Sequence, residues 1–358
     1  MTQERDRAAS LFSDARFPAT RYQGSKRKLV RAIEQALAPL AFDTALDAFG
    51  GTGAVAWMLK ARGTQVTYND LHRFNHVVGT ALVENSRTTL PLEEAAALTE
   101  ETPGVDYHDV VARCFRGVFF TPRENRWIDV TCQNIHRMRG RHRRALALYG
   151  LFQACLAKRP FNLFHRANLD IRLRAVPRSF GNKVTWDRPF TEHFLDFVDA
   201  ANRAVFSNGR RNRATRRDAL DYPRSDFDLV YVDPPYMSKR GAGVDYLDFY
   251  HFLEGLCTYA TWAERIDPAR KHRPLRHPRP IWCDRRRIHA GFATLFRRFP
   301  ASHLVISYRS DGIPSVSELT AMLEAEGRRA EVVSLGSYKY VLSRNGVSRE
   351  YLIISERP

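Results

Sequence analysis

In Thr44-Ala45-Leu46-Asp47-Ala48-Phe49-Gly50-Gly51-Thr52-Gly53 an apolar run of strand character breaks on a cluster of glycines. Residues 54–60 then read as a helix, and Gln65-Val66-Thr67-Tyr68 as a second strand that stops at Asn69-Asp70. Strand, glycine turn, helix, strand, acid is the plan of a half-site for an adenosine-containing cofactor. The glycines let the backbone approach the ligand, and the acid takes up ribose hydroxyls. The fold expected is α/β, a doubly wound Rossmann-like sheet. Gly51-Thr52-Gly53-Ala54-Val55-Ala56 also satisfies the fingerprint G-x-G-x-x-G/A, with Asp70 near the usual offset. An NAD-dependent oxidoreductase is therefore a rival at this point.

Further along, Phe227-Asp228-Leu229-Val230-Tyr231-Val232 predicts a buried strand, which Asp233-Pro234-Pro235-Tyr236 ends abruptly. The two prolines remove backbone donors and fix φ, and each forces the residue before it into an extended conformation. A rigid loop at the carboxyl end of a buried strand is where open α/β sheets bind ligands. It offers a carboxylate at Asp233, an inflexible carbonyl at Pro234 and an aromatic face at Tyr236. That set suits an NH2 group on a planar aromatic ring. The two acceptors take its hydrogens and stabilise the positive charge that develops as the nitrogen attacks, while Tyr236 stacks on the ring. The dinucleotide reading accounts for neither this loop nor the charge of the chain.

That charge is +17, from 56 Lys+Arg against 39 Asp+Glu over 358 residues, and it predicts a polyanionic partner, nucleic acid first. The 44% hydrophobic content is ample for a core, and no run is long enough for a membrane span. Residues 1–15 lack the apolar region of a secretory signal, and the five cysteines form no CxxC pair. A cytoplasmic protein with reduced thiols is expected. His72 and His76 share one helix face without neighbouring ligand types, so no metal is expected.

Near the start, Arg21-Tyr22-Gln23-Gly24-Ser25-Lys26 precedes a periodic helix. A Gly-Ser turn with a lysine at a helix start offers N–H groups and a cation to an anion, or simply caps the helix. Taken in order, Arg-Tyr-x-Gly-Ser-Lys, Asp-x-Phe-x-Gly-x-Gly, Asn-Asp and Asp-Pro-Pro-Tyr resemble the adenine-specific DNA methyltransferases. The likeness is closest to the Dam-related D12 class with the α order of motifs, and it spans residues 21–355. The resemblance implies S-adenosyl-L-methionine as methyl donor and N6 of adenine in double-stranded DNA as acceptor, with Asp233, Pro234 and Tyr236 catalytic. It also implies that Tyr22, Gly24 and Lys26 hold the methionine end of the cofactor. Asp47, Phe49, Gly51 and Gly53 would line it, Asp70 would bind its ribose, and Asp218 would touch its adenine. Gln23 stands where many relatives have proline.

The chain divides, on this reading, into a cofactor-binding half (16–85), a mostly helical, basic insertion that recognises the target (86–209) and a catalytic half (210–358). The insertion begins with an acidic stretch (92–101) and mixes aromatics with arginines: Phe115, Phe119, Phe120, Arg123, Arg126 and Trp127. Arg137, Arg139, Arg141, Arg143 and Arg144 follow, then a buried helix over 145–156. Arg166 in Phe161-Asn162-Leu163-Phe164-His165-Arg166, Lys183 after Arg178-Ser179-Phe180-Gly181-Asn182, and Lys239 in a glycine-containing loop (238–243) complete the expected DNA contacts. A cationic loop (210–217) and a proline- and arginine-rich loop (267–280) are further basic segments, and Asn345-Gly346 marks a turn between closing strands. The aromatic helix 245–256 is expected to be core. The target base must leave the duplex to be reached. A cognate restriction endonuclease is a candidate partner; the sequence sets no oligomeric state. A ribosomal-RNA adenine methyltransferase is the nearest alternative. A nucleic-acid-binding protein without catalysis is the alternative of another class, and intact Asp233 and Tyr236 speak against it.

Overall fold

The computed structural model describes residues 15–174, 182–238, 243–337 and 349–356. Arg178, Lys239 and the Asn345-Gly346 turn lie outside the described residues. Among those described, the strands are β1 (Thr44–Asp47), β2 (Gln65–Asn69), β3 (Arg213–Thr215), β4 (Leu229–Val232), β5 (Met237–Ser238), β6 (His303–Arg309), β7 (Gly312–Ile313), β8 (Ala330–Ser337) and β9 (Arg349–Ser355). Seven of them form one sheet in the order β3-β2-β1-β4-β6-β9-β8, and β5 pairs with β7 in a small ribbon. The run from β3 to β6 is parallel, whereas β9 is antiparallel to both its neighbours. The chain winds one way from β1 to β3 and the other way from β4. The crevice at the carboxyl ends of β1 and β4 is therefore the topological switch point, where such sheets take their ligands. The expected Rossmann-like α/β sheet is the fold observed.

Register between the two central strands is locked at their amino ends. Asp228 Oδ2 accepts from the Asp43 and Thr44 backbone N–H groups and from the Thr44 hydroxyl, while Thr44 Oγ1 accepts from the Asp228 N–H. Leu46 then sits opposite Val230 and Asp47 opposite Tyr231. Every residue of β4 is buried, as a parallel strand covered on both faces requires.

Helices α1 (Val30–Ala36), α2 (Ala54–Ala61), α3 (Arg73–Gly79), α4 (Pro122–Arg137), α5 (Arg141–Ala157), α6 (Phe190–Asn202), α7 (Tyr246–Cys257), α8 (Ile288–Arg298) and α9 (Val316–Ala325) surround the sheet. Alternation along the strands separates its two faces. Ala45, Tyr231 and Val305 pack with Ile33, Val55 and Leu59 of α1 and α2. Leu46, Val230 and Ile306 pack with Phe292, Phe296 and Leu319 of α8 and α9. Between β2 and β3 the described residues form helices and no strand, in line with the helical insertion that was expected. Among the described residues, no helix is long and apolar enough to cross a membrane.

One sequence expectation is corrected and one group of aromatics is placed. The cationic loop contains an edge strand, β3, which pairs with β2 from Thr67↔Arg213 to Asn69↔Thr215. Its three residues bury only Ala214, too little to show as an apolar run. Phe115, Phe119 and Phe120, which the sequence reading left without a role, are core. All three are fully buried in a third apolar cluster, which the insertion shares with Leu247, Phe252 and Trp262 of α7 and its sequel.

Candidate active site

The floor of the crevice is the turn after β1. Gly51 (φ 49°) and Gly53 (φ 75°) adopt left-handed backbone, and Gly53 caps α2. A Cβ on Gly50 would stand 2.1 Å from the Tyr68 ring, so only glycine fits there. The Tyr68 hydroxyl donates to the Gly51 carbonyl at 2.7 Å and pins the turn to β2. Asn69 has a structural part: its amide donates to the carbonyls of Ala48 and Arg217, joining the loops after β1 and β3. Asp70 is the residue of that pair that enters the site. Its carboxylate accepts from Gly51 N (3.1 Å), His72 N (2.9 Å) and Asn75 Nδ2 (3.0 Å), which fixes its aim.

The N-terminal motif forms one wall. Tyr22 is stacked against Tyr246 and Tyr250 of α7, and its hydroxyl meets Asn75 Nδ2 at 3.3 Å. Gly24 (φ 81°) passes so close to α7 that a Cβ would lie 2.5 Å from the Tyr246 hydroxyl. Ser25 caps the short 3-10 helix Lys26–Lys28, from which the Lys26 side chain enters the protein.

Lys26 does not end among the glycines. Its Nζ stands 2.8 Å from Asp233 Oδ1 and 2.5 Å from the Tyr236 hydroxyl, and that hydroxyl donates to the same Oδ1 at 2.6 Å. Burial opposes the Lys26 charge, but the carboxylates of Asp233 and Glu350 outweigh it and raise the ammonium above its ordinary pKa. Burial, then Asp233, raises the Tyr236 hydroxyl well above its usual range. Asp47, at the end of β1, is 1% exposed, and its Oδ1 lacks a hydrogen-bond partner among the described residues. Burial, with Asp233 and Asp70 adding repulsion, pushes its carboxyl up to about 8.

These elements enclose a cleft of about 920 Å³, open solvent included. Tyr22, Gly24, Lys26, Asp47, Phe49, Gly51, Asp70, Asp218 and Asp233 all line it. Gly53 lies behind the lining as the cap of α2. Tyr236 is 7% exposed, edge-on to Tyr308, so it is not the open platform that the sequence suggested. Asp218 is exposed and caps Leu220 N. The lining also includes Tyr246, Asn75, Trp282 and Cys283, which the sequence reading did not assign. Trp282 meets Phe49 edge-on at 5.1 Å. Tyr246 was hidden in a helix of core character, and Trp282 follows a basic loop with no periodicity to place it.

The expected DNA contacts differ in how far they are engaged. Arg141 pairs with Glu84 at 2.5 Å and Arg143 with Glu94 at 3.2 Å, whereas Arg144 donates to the Met138 carbonyl. Arg137 rests over the Tyr107 ring, and Lys183 pairs with Asp187 at 2.6 Å. Arg139 and Arg166 are exposed. Beside Arg166, Phe161 stands 58% exposed in left-handed backbone (φ 62°). Buried Arg159 holds this loop by donating to the carbonyls of Leu163 and Arg166 and to the Asn168 side chain.

A family model described as D12 class N6 adenine-specific DNA methyltransferase matches residues 22–256. The chain is 26% identical over 330 residues to the type II methyltransferase M2.HphI of Haemophilus parahaemolyticus, covering 90% of this chain and 92% of that protein. It is 22% identical over 319 residues to the type II methyltransferase M.NlaIII of Neisseria lactamica, covering 86% and 88%. It is also 22% identical over 329 residues to the type II methyltransferase M.FokI of Planomicrobium okeanokoites. There the match covers 86% of this chain and 47% of the relative, about half its length.

Proposed function

The chain belongs to the D12 class N6 adenine-specific DNA methyltransferases, and on that footing we propose that it transfers the methyl group of S-adenosyl-L-methionine to an adenine flipped out of double-stranded DNA. The observation that carries this reading is that Asp233 opens into the same cleft as the glycine turn and Asp70. An oxidoreductase would leave the carboxylate loop without a task.

The cleft fits the cofactor. The left-handed turn at Gly51 and Gly53 lets backbone approach it, and the fixed carboxylate of Asp70 suits ribose hydroxyls. The unpartnered Oδ1 of Asp47 is a buried acceptor, and a cation bound in the cleft would draw this carboxyl, raised to about 8, toward its charged form. Tyr22, Gly24, Lys26, Phe49 and Asp218 complete the wall. When bound, S-adenosylmethionine supplies an electrophilic methyl on a positively charged sulfur.

The chain's own residues govern the other reactant. Asp233 Oδ1 and the Pro234 carbonyl accept the two N6 hydrogens, which raises electron density on nitrogen and stabilises the charge formed during attack. In the structure that oxygen is already shared by Lys26 and Tyr236, so the amine has to displace them. Lys26 also lies 4.9 Å from the centroid of the Tyr236 ring. Its departure therefore removes one of the two donors on the acceptor, the Tyr236 hydroxyl being the other, and a cation from beside the ring. Asp233 then takes the proton that N6 sheds. The helical insertion, with Arg139 and Arg166 exposed, contacts the DNA and selects its sequence.

The enzyme acts in the cytoplasm as the modification half of a restriction–modification system, with an endonuclease of the same specificity as its partner. The test is expression in a host that lacks adenine methylation, followed by sequencing of genomic DNA for modified adenines. One recurrent motif carrying N6-methyladenine is the expected result. Unmodified DNA beside methylated ribosomal RNA would overturn the DNA reading.

A further inference from the structure

Glu350 has no part in the chemistry above, yet it sits within its reach. It lies on β9 in register with Arg309 of β6, and it is 0% exposed. Neither carboxylate oxygen has a hydrogen-bond partner among the described residues. A buried carboxylate left in this way is costly to the fold, and a neutral side chain of the same shape would cost less. Among the described residues, the cation within ion-pair reach is Lys26, whose Nζ is 3.9 Å from Glu350 Oε1. Arg309, its neighbour across the strands, pairs instead with Asp311 at 2.9 Å.

Lys26 thus stands between two carboxylates, hydrogen-bonded to one and held off from the other. Asp233 Oδ1 is the oxygen that the target amine requires. An ammonium forced off that oxygen inside a buried site needs another anion or it stays where it is. Glu350 provides one, and a shift of about 1 Å brings it to hydrogen-bond distance.

We infer that Glu350 is a positioning residue, the second counter-ion of Lys26, which takes the ammonium when adenine claims Asp233 and returns it after turnover. Lys26 keeps its proton throughout and acts as a gate on the catalytic carboxylate. The inference rests on the reading that Asp233 receives the target amine. Among the described residues, the groups facing Glu350 are Lys26, Asp233, Arg309 and Asp311, with the Tyr236 and Tyr246 hydroxyls beside them. Burial pushes its carboxyl up to about 7; Lys26 and Arg309 pull it down, while Asp233 and Asp311 push it up. A protonated Glu350 cannot receive the ammonium, so methyl transfer gains speed as pH rises through this range.

The test uses Glu350→Gln, Lys26→Met and the double variant, on a duplex carrying the motif found in the genomic experiment. Single-turnover methyl transfer in Glu350→Gln is expected to fall about tenfold, a usual size for coupling within one charge network. The rise in rate through neutral pH should vanish, with cofactor affinity retained and the melting temperature no lower than the parent's. In the Lys26→Met background, Glu350→Gln should cost nothing further. Glu350→Asp, which keeps the charge, should restore part of the rate. A parental rate and pH profile in Glu350→Gln, or the same fold loss in both backgrounds, overturns the inference. If Glu350→Gln fails to fold, the double variant against Lys26→Met alone decides: equal rates support the gate, and a further loss refutes it. A parent enzyme that methylates no adenine would instead defeat the proposed function itself.

Discussion

Tyr22 lies flat on Tyr250, with ring centroids 4.6 Å apart and planes within 8° of parallel. The Tyr250 hydroxyl also accepts the Gln23 N–H at 2.7 Å, across 227 positions of sequence. A helix that follows the Asp-Pro-Pro-Tyr loop thus sets the position of the first motif, and through it Lys26. Tyr250→Ala should cost about 3–5 kcal/mol of stability, as for other large core truncations. Tyr250→Phe keeps the stack and should cost about 1 kcal/mol for one hydrogen bond. Urea unfolding of the two variants checks the ranking, and a Tyr250→Ala protein as stable as its parent would show the stack to be idle.

Asp70 holds both the glycine turn and, on the reading above, the ribose. S-adenosylmethionine should raise the melting temperature of the parent. Asp70→Ala should lower cofactor affinity about tenfold or more, the equivalent of a lost hydrogen bond to a charged acceptor. Calorimetric titration measures this directly. Stabilisation by NAD and not by S-adenosylmethionine would revive the oxidoreductase.

Asp233→Ala removes an acceptor and leaves the glycine turn and Asp70 in place. Cofactor and DNA should still bind, while the chemical step slows by about two to three orders of magnitude. Tyr236→Ala should weaken capture of the flipped base by roughly 1–3 kcal/mol, and Tyr236→Phe should be milder because the ring remains. Single-turnover methyl transfer, run beside separate binding assays, distinguishes these effects. Methylation at the parental rate by Asp233→Ala would remove it from the site.

On the insertion, the ion pairs divide the arginines. Replacing exposed Arg139 or Arg166 by alanine should lower affinity for all DNA sequences alike and reduce the salt slope by roughly one per contact. Arg141 and Arg143 already meet Glu84 and Glu94, so their replacement should change the slope less. Equal slopes for all four variants would contradict this division.

Asp47 makes the fold sensitive to pH. Its folded pKa is raised to about 8, so the folded chain holds a proton that the unfolded chain releases near its ordinary 3.8. Between those values the folded state binds more protons, and stability falls as pH rises. Glu350 contributes in the same direction up to about 7. Asp47→Asn should flatten the decline and be more stable than the parent at pH 8, by at most about 5 kcal/mol. Denaturant unfolding at pH 5 and pH 8 gives the comparison.

The parallel core was legible because each of its features is local. β4 is four consecutive buried residues before two prolines, and the turn after β1 needs glycines within a few positions. β3 was not legible, since an edge strand of three residues with one buried side chain leaves no pattern. The aromatics at 115, 119 and 120 could not be placed, because arginines beside phenylalanines read alike in a core and on a DNA surface. Buried Arg159, over Phe119 and Phe164, shows the same mixture turned inward. The Lys26–Asp233 pair spans 207 positions, and Glu350 lies beyond both. Nothing short of the folded sheet brings these three together.

The apolar cluster that joins the insertion to α7 and Trp262 also limits how such an enzyme acquires a new specificity. A chimera that exchanged residues 86–209 as a cassette would set foreign side chains against Leu253, Leu256 and Trp262, and their mismatch would propagate to Tyr250 and Tyr246 at the cleft. If the insertion selects the target as proposed, diversification would be confined to what protrudes from the shared core, such as the Phe161 loop braced by Arg159. Lineages of this architecture should drift in target sequence by substitution at protruding loops and not by wholesale module exchange.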